Sequence, residues 1–221
     1  AWGGRKIAAS LRRQGVKPPA PSTITEILHR HGEPMVAAGR KVWKRFEHAE
    51  PNAMWQMDFK GHVPMADGAR LHPLTVLDDH SRFSLVLSAC GREDGETVKT
   101  RLITAFRRFG LPVRMAMDNG PPWGDRGNQP FTRFGVWLIE QGIYISHSRP
   151  LHPQTLGKDE RFHRSLKAEA MANPFGSLSH AQTAFDAWRR IYNTERPHEA
   201  LAYAVPADRY RLSPRAFCEY L

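Results

Sequence analysis

M-W-Q-M-D-F-K, Met54 to Lys60, decides how the chain is read, because an apolar, strand-like run there ends on an acid, Asp58. An ionised carboxylate that leaves water needs a cation or several donors to offset its desolvation, so a strand seldom ends this way without cause. The runs that follow keep the same character. L-H-P-L-T-V-L-D-D (71–79) and S-R-F-S-L-V-L-S-A-C (81–90) are strand-like, with turn signals at M-A-D-G-A-R (65–70) and D-H-S (79–81). Together they predict a three-stranded antiparallel meander with Asp58 in its first strand.

Beyond the meander the period changes. E-T-V-K-T-R-L-I-T-A-F-R-R-F-G (96–110) places Val98, Leu102, Ile103, Ala105, Phe106 and Phe109 on one helical face and stops at Gly110 and Pro112. V-R-M-A-M-D-N-G (113–120) is then a short buried strand ending on a second acid, Asp118. A strand reached through a helix is expected to run parallel to an earlier one and beside the first, which brings Asp118 next to Asp58. A second helix is predicted over 131–141, a strand at I-Y-I-S (143–146), a third helix from about Lys158, and a fourth over L-S-H-A-Q-T-A-F-D-A-W-R-R-I-Y-N (178–193). The order β-β-β-α-β-α-β-α-α resembles that of a ribonuclease-H-like α/β fold, a mixed sheet flanked by helices.

The chain has 221 residues, 41% apolar and 24% charged, enough to bury a real core, and this excludes a disordered or fibrous protein. No apolar run approaches the roughly 20 residues of a membrane helix, and no signal peptide is visible, so a cytoplasmic protein without membrane partners is expected. Cys90 and Cys218 form neither a metal pattern nor a disulfide framework. Opening on Ala1 inside a helical pattern, the chain reads as a piece of something longer.

Its net charge of +10 is uneven: residues 1–48 hold ten Lys or Arg against three acids, leaving 22 against 19 for the other 173. G-G-R-K-I-A-A-S-L-R-R-Q-G (3–15) reads as an amphipathic helix with Ile7 and Leu11 inward. Ser22 is the expected N-cap of a second helix carrying Ile24, Ile27 and Leu28, with Gly32 just past its end. Two basic helices and a turn resemble part of a helix-turn-helix unit, with Arg5, Lys6, Arg12, Arg13 and Lys17 as candidate DNA contacts. Residues 34–50, with Arg40, Lys41, Lys44 and Arg45 around Val42, Trp43 and Phe46, read as a basic linker along phosphate backbone. The expected organisation is a partial helix-turn-helix-like unit over 1–33, this linker, a catalytic core over 51–200 and a C-terminal extension over 201–221.

A third acid, Glu160, lies in R-P-L-H-P-Q-T-L-G-K-D-E-R-F-H-R-S-L-K (149–167). Three such acids in a strongly basic chain point to divalent-metal phosphodiester chemistry on a polyanion. The same segments carry a specific resemblance. W-G-G-R-K-I, W-Q-M-D-F-K-G, L-T-V-L-D-D-H-S-R-F, M-D-N-G-P-P-W, the stretch around Glu160 and Y-N-T-E-R-P-H-E-A-L, in this order, are similar to the DDE insertion-sequence transposases with an integrase catalytic core, in the retroviral integrase superfamily. The resemblance implies that Asp58, Asp118 and Glu160 form the catalytic, metal-binding triad. It also implies two Mg2+ (or Mn2+) ions, nicking of DNA to free a 3′-hydroxyl, strand transfer into target DNA, and a homo-oligomer assembled on double-stranded element ends in the bacterial nucleoid. Forty-one residues separate Asp118 from Glu160, somewhat more than is usual in the family, and the excess is assigned to P-P-W-G-D-R-G-N-Q-P (121–130). A ribonuclease-H-like nuclease or resolvase, or a DNA-binding regulator without catalysis, would share part of this pattern.

His163, Arg164 and Lys167 follow Glu160 by three, four and seven residues and are expected on its helical face as phosphate contacts. Asp159 points about 100° away and is expected in solvent. Asp78 and Asp79 are expected to cap their hairpin through backbone bonds. The loop with His152, Pro153, Gln154 and Gly157 reads equally as a plain surface loop or one that orders around a DNA end. Trp123 reads as a packed loop aromatic or a base-stacking platform, and Arg196, Pro197 and His198 as a DNA contact or a core contact.

Overall fold

The computed structural model describes residues 2–32, 47–124, 131–147 and 157–219. Two helices, α1 (Gly4–Arg13) and α2 (Pro21–Arg30), precede strands β1 (Met54–Phe59), β2 (Val63–Pro64), β3 (Arg70–Asp78) and β4 (Ser84–Cys90). Then come α3 (Gly95–Phe109), β5 (Arg114–Met117), α4 (Arg133–Glu140), β6 (Tyr144–His147), α5 (Gly157–Ala170), α6 (Leu178–Thr194), a 3-10 turn (Glu199–Leu201) and the short α7 (Pro206–Arg209). No helix among the described residues is long and apolar enough to cross a membrane.

The sheet is mixed, as its sequence predicts. β1 pairs antiparallel with β3 and parallel with β5, β5 continues parallel to β6, and β4 and the short β2 both pair antiparallel with β3. The parallel pair follows from the crossover through α3, since a strand that returns by way of a helix runs in the direction of its neighbour. Asp94 caps α3 by accepting from the Thr97 amide, and Gly110 ends the helix at φ +75.

Strand alternation divides the core in two. Trp55 and Met57 of β1 join Leu74 and Val76 of β3 beneath α3 and α4, where Val98, Leu102, Phe106, Phe134 and Leu138 complete one cluster. The opposite face carries Leu71, Leu77, Leu87 and Ala89 against Phe162 and Leu166 of α5 and Phe185, Trp188 and Tyr192 of α6. Gln56 and Asp58, alternating with Trp55 and Met57, belong to this second face, and that places Asp58 on the α5 side of the sheet.

Two local expectations are corrected. The N-cap of α2 is Ala20, and Ser22 lies inside the helix, because Pro21 supplies a pre-set φ for the first position and draws the start forward. The buried face of α1 is Gly4 and Ala8, while Ile7 and Leu11 are half-buried, because α1 crosses α2 closely: a Cβ on Gly4 would collide with Pro21 O and Thr25 Oγ1. Residues 201–217 pack as part of the core. Tyr210 stacks on Phe83 with centroids 4.4 Å apart and donates to Asn52 Oδ1 at 3.0 Å. Arg215 accepts from the Leu111 amide through its carbonyl and donates to Gly142 O at 2.7 Å, strapping the turns that precede β5 and β6.

The strap makes Gly110 irreplaceable on two counts. Its φ is positive, and an added Cβ would lie 2.7 Å from Arg215 O and 2.8 Å from Ser213 O. Gly110→Ala is therefore expected to lose about 2–3 kcal/mol of unfolding free energy, from strained backbone and displaced strap together, as read by urea denaturation.

Candidate active site

Asp58 stands opposite Thr75 near the end of β1, and the parallel register of β1 with β5 runs from Met54↔Arg114 to Gln56↔Ala116. Two further residues along both strands set Asp118, the first residue after β5, beside Asp58. Burial pushes the Asp58 carboxyl up to about 7, and the charge of Asp118 adds to the shift, while the Phe59 amide counters it. Asp118 accepts from the Gly120 amide at 3.0 Å, and its carbonyl lies 2.7 Å from His147 Nδ1. Two crowded carboxylates with oxygen donors alone match what a hard divalent cation requires, and its charge would relieve the repulsion that raises Asp58.

His163 reaches this centre from α5. Its Nε2 is 2.9 Å from Thr75 Oγ1, whose hydroxyl donates to the Asp58 carbonyl at 3.0 Å. The Thr75 proton being used, Nε2 carries the imidazole proton and Nδ1 is left as an acceptor, 3.8 Å from Asp58 Oδ2. Burial, helped by the nearby Lys60, lowers the His163 pKa to about 4, so the ring is neutral at physiological pH. The residue expected on a phosphate-facing stripe is thus turned toward the sheet. Lys60 itself is pulled down by desolvation and by Lys167, which puts two ammonium groups near one another at this edge of the site.

The phase of α5 explains the reversal. Asp159, Phe162, His163 and Leu166, at i, i+3, i+4 and i+7, form its inward face, and Glu160, Arg164 and Lys167 its exposed one. The Glu160 side chain is 73% exposed and pairs with Arg164 at 3.4 Å. Asp159, expected in solvent, is instead fully buried, and neither of its oxygens has a hydrogen-bond partner among the described residues. Burial, then the charges of Asp58 and Asp79, raise its pKa well above the usual carboxylate range. Among the described residues no three His, Cys, Asp or Glu side chains converge as a ready metal cluster: Asp58 and Asp118 are brought together, and Glu160 points outward beside Arg164.

The remaining candidates divide by environment. Arg13 makes a bidentate pair with Asp208 at 2.6 and 2.8 Å, and Arg5 pairs with Glu199 at 3.1 Å. Lys6 is half-buried, with a pKa lowered by desolvation to about 8, and Arg12 and Lys17 are exposed. Arg40, Lys41, Lys44 and Arg45 lie outside the described residues, as do His152, Pro153 and Gln154. Trp123 is a packed aromatic, 3% exposed and stacked on Phe59 at 5.4 Å. Arg196 is a core contact, buried and paired with Glu169, with His198 against Tyr192. Asp78 caps its hairpin by accepting from the Asn52 and Ser81 amides. Sequence reasoning missed Gln56, Lys60, Thr75 and Lys158; the one available signal was that Gln56 and Thr75 are polar residues in otherwise apolar strands.

A family model described as an integrase core domain matches residues 48–153, and a second of the same description matches residues 141–206. The chain belongs to the integrase core family. Its relatives include an insertion element IS407 protein of Burkholderia multivorans, 28% identical over 72% of this chain and 55% of that protein. An insertion element IS476 protein of Xanthomonas euvesicatoria is 31% identical over 72% of this chain and 44% of that one, so the chain spans about half the length of these relatives. In structure it resembles a chain of the simian T-cell lymphotropic virus intasome solved in complex with PP2A regulatory subunit B56 gamma (TM-score 0.63, 18% identity, 96% of this chain and 74% of that one). It also resembles the HTLV-2 integrase catalytic core domain solved with magnesium (TM-score 0.55, 15% identity, 74% and 99% of the two chains). The mixed sheet flanked by helices is the integrase-core, ribonuclease-H-like fold.

Charge crowding has a measurable consequence. Asp58→Asn removes the buried charge and is expected to stabilise the metal-free protein by about 1–3 kcal/mol. Millimolar Mg2+ should raise the melting temperature of the wild type and leave the variant unmoved. Asp159→Val, which replaces an unpaired buried acid with an apolar side chain, should raise the melting temperature as well, both with and without Mg2+, as read by calorimetry.

Proposed function

We propose that this chain is the catalytic core of a DDE transposase, which frees a 3′-hydroxyl at the end of a mobile element and joins it to target DNA. The observation that carries the reading is the placement of Asp58 and Asp118 side by side at the ends of adjacent parallel strands in an integrase core. Asp58, Asp118 and Glu160 would hold two Mg2+ or Mn2+ ions. Such ions activate an attacking oxygen and stabilise a leaving one in an in-line displacement at phosphorus.

The chain's own residues set the stage for that displacement. Thr75 holds the Asp58 segment, its hydroxyl bonded to the Asp58 carbonyl, and the His163 ring holds Thr75 in turn. Glu160 sits on the exposed side of α5's first turn, paired with Arg164, and would be the third carboxylate to hold a cation. Lys60, Arg164 and Lys167 offer positive charge to phosphates at the same edge, and the net charge of +10 favours DNA over other partners. In the first step water attacks the phosphodiester and the 3′-oxygen leaves with a proton; in the second that hydroxyl attacks target DNA, one P–O bond forming as another breaks. The basic arm and Arg40, Lys41, Lys44 and Arg45 are assigned to DNA contact, and the active form to a homo-oligomer on paired ends in the bacterial cytoplasm.

Strand joining tests the reading. Purified protein, a labelled duplex with an exposed 3′-hydroxyl element end, supercoiled plasmid and Mg2+ or Mn2+ should give joined products. Glu160→Gln should lower the yield by at least about 100-fold, the order lost when charge stabilisation of a transition state is removed. Asp58→Asn should abolish cleavage yet keep DNA affinity within about threefold in a gel shift, because basic side chains supply the phosphate contacts. Glu160-dependent nicking without joining would replace the transposase by a nuclease, and salt-sensitive binding without reaction would replace it by a regulator.

A further inference from the structure

Asp79 lies outside the triad and is nevertheless wholly buried at the end of β3. Its carboxylate accepts from Gln56 Nε2 at 2.6 Å and from the His48 amide at 2.8 Å, and it forms an ion pair with Lys158. Its carbonyl accepts from Lys158 Nζ at 3.0 Å and from Arg82 at 2.8 Å, and its amide donates to Met54 O. The position of these partners in the chain is what matters. Gln56 stands two residues before Asp58 on the same face of β1, and Lys158 stands two residues before Glu160 in the first turn of α5. One buried carboxylate therefore holds both the strand that carries Asp58 and the helix that carries Glu160.

Among the described residues this link ties the start of α5 to the sheet one turn before His163 meets Thr75. Asp159 and Gln56 Oε1, both buried, have no hydrogen-bond partner among the described residues, so they add repulsion or desolvation rather than adhesion between helix and sheet. The hydrophobic contacts of Phe162 and Leu166 begin a turn later. Lys158, with its side chain 13% exposed and its pKa lowered by desolvation to about 8, is seated in the interface rather than extended into water. An ammonium removed from solvent onto a buried carboxylate gives a short, fixed link whose loss leaves a lone charge behind.

We propose that Asp79 and Lys158 are positioning residues which fix Glu160 relative to Asp58, and thereby set how tightly the carboxylate site takes a divalent cation. The proposal rests on the metal-dependent reading above. Groups that orient metal ligands from behind typically change metal affinity by about 10–100-fold when removed. An ion pair with a purely structural role would change stability and leave cation affinity alone.

The test is Mn2+ binding to the metal-free protein, followed through the paramagnetic resonance signal of the free ion, with no DNA present. Lys158→Met and Asp79→Asn are each expected to weaken binding about tenfold or more, and Lys158→Arg, which keeps the charge and can reach the carboxylate, to stay within about threefold of wild type. Should either single variant fail to fold, the double variant Asp79→Asn/Lys158→Met leaves no lone buried charge and is expected to show the same weakening. Gly110→Ala serves as the control: it lowers stability from the far end of the core and should leave Mn2+ affinity unchanged. A folded double variant that binds Mn2+ within about twofold of wild type overturns the positioning role. A wild type that binds no Mn2+ overturns the metal reading itself, and the positioning role falls with it.

Discussion

β1 is hydrogen-bonded on both sides, antiparallel to β3 and parallel to β5, and this double pairing fixes everything around it. A strand so enclosed has no freedom to slip, because a one-residue shift would send Trp55 and Met57 out of the α3–α4 layer and bring Gln56 and Asp58 in. The cost is electrostatic. Asp58 is held where water is scarce and where β5 delivers a second carboxylate, so its proton affinity rises toward neutrality. A sheet this firmly registered keeps two like charges together, and a divalent cation is the simplest group that turns their repulsion into attraction.

The helix α5 completes the site by its phase. With Phe162 and Leu166 fixed against α6 and the sheet, the 3.6-residue period leaves no choice about the first turn: position 159 faces in and 160 faces out. Glu160 is then exposed beside Arg164, and the inward place falls to Asp159, an acid with no partner. The ion pair between Lys158 and Asp79 offsets some of the loss of adhesion that an acid rather than an apolar residue at 159 entails. It also accounts for a cluster of charged residues at a helix–sheet contact where hydrophobic packing would serve stability better.

Much of this was legible in residues close together in sequence. The alternation of 54–58, the helical period of 96–109 and the apolar run before Asp118 gave the meander, the crossover and the adjacency of the two aspartates, because each depends on local pattern and on the rule that a crossover strand lies parallel. What was hidden depends on contacts distant in sequence. The inward phase of Asp159 follows from the packing of Phe162, not from the K-D-E-R string. His163 reads as one of a basic stripe until Thr75, 88 residues away, claims its ring. Arg13 meets Asp208 across 195 residues, and the strap at 210–215 has no periodicity to announce it.

That last group bears on how the basic arm would meet DNA. Arg5 and Arg13 pair with Glu199 and Asp208 at the surface, where solvent screening leaves such pairs weak. Phosphate oxygens can take the place of those carboxylates at little cost, and the exchange uncovers two acids on the core. Lys6 is different: half-buried and pulled down by desolvation, it contributes to the docking of α1 rather than to the field outside. The arm is therefore seated on the core by weak exposed pairs around a close helix crossing at Gly4. On the transposase reading, phosphates compete for the arginines before they touch the buried pair at Asp79, so docking of the arm and loading of the carboxylate site are governed by separate charges.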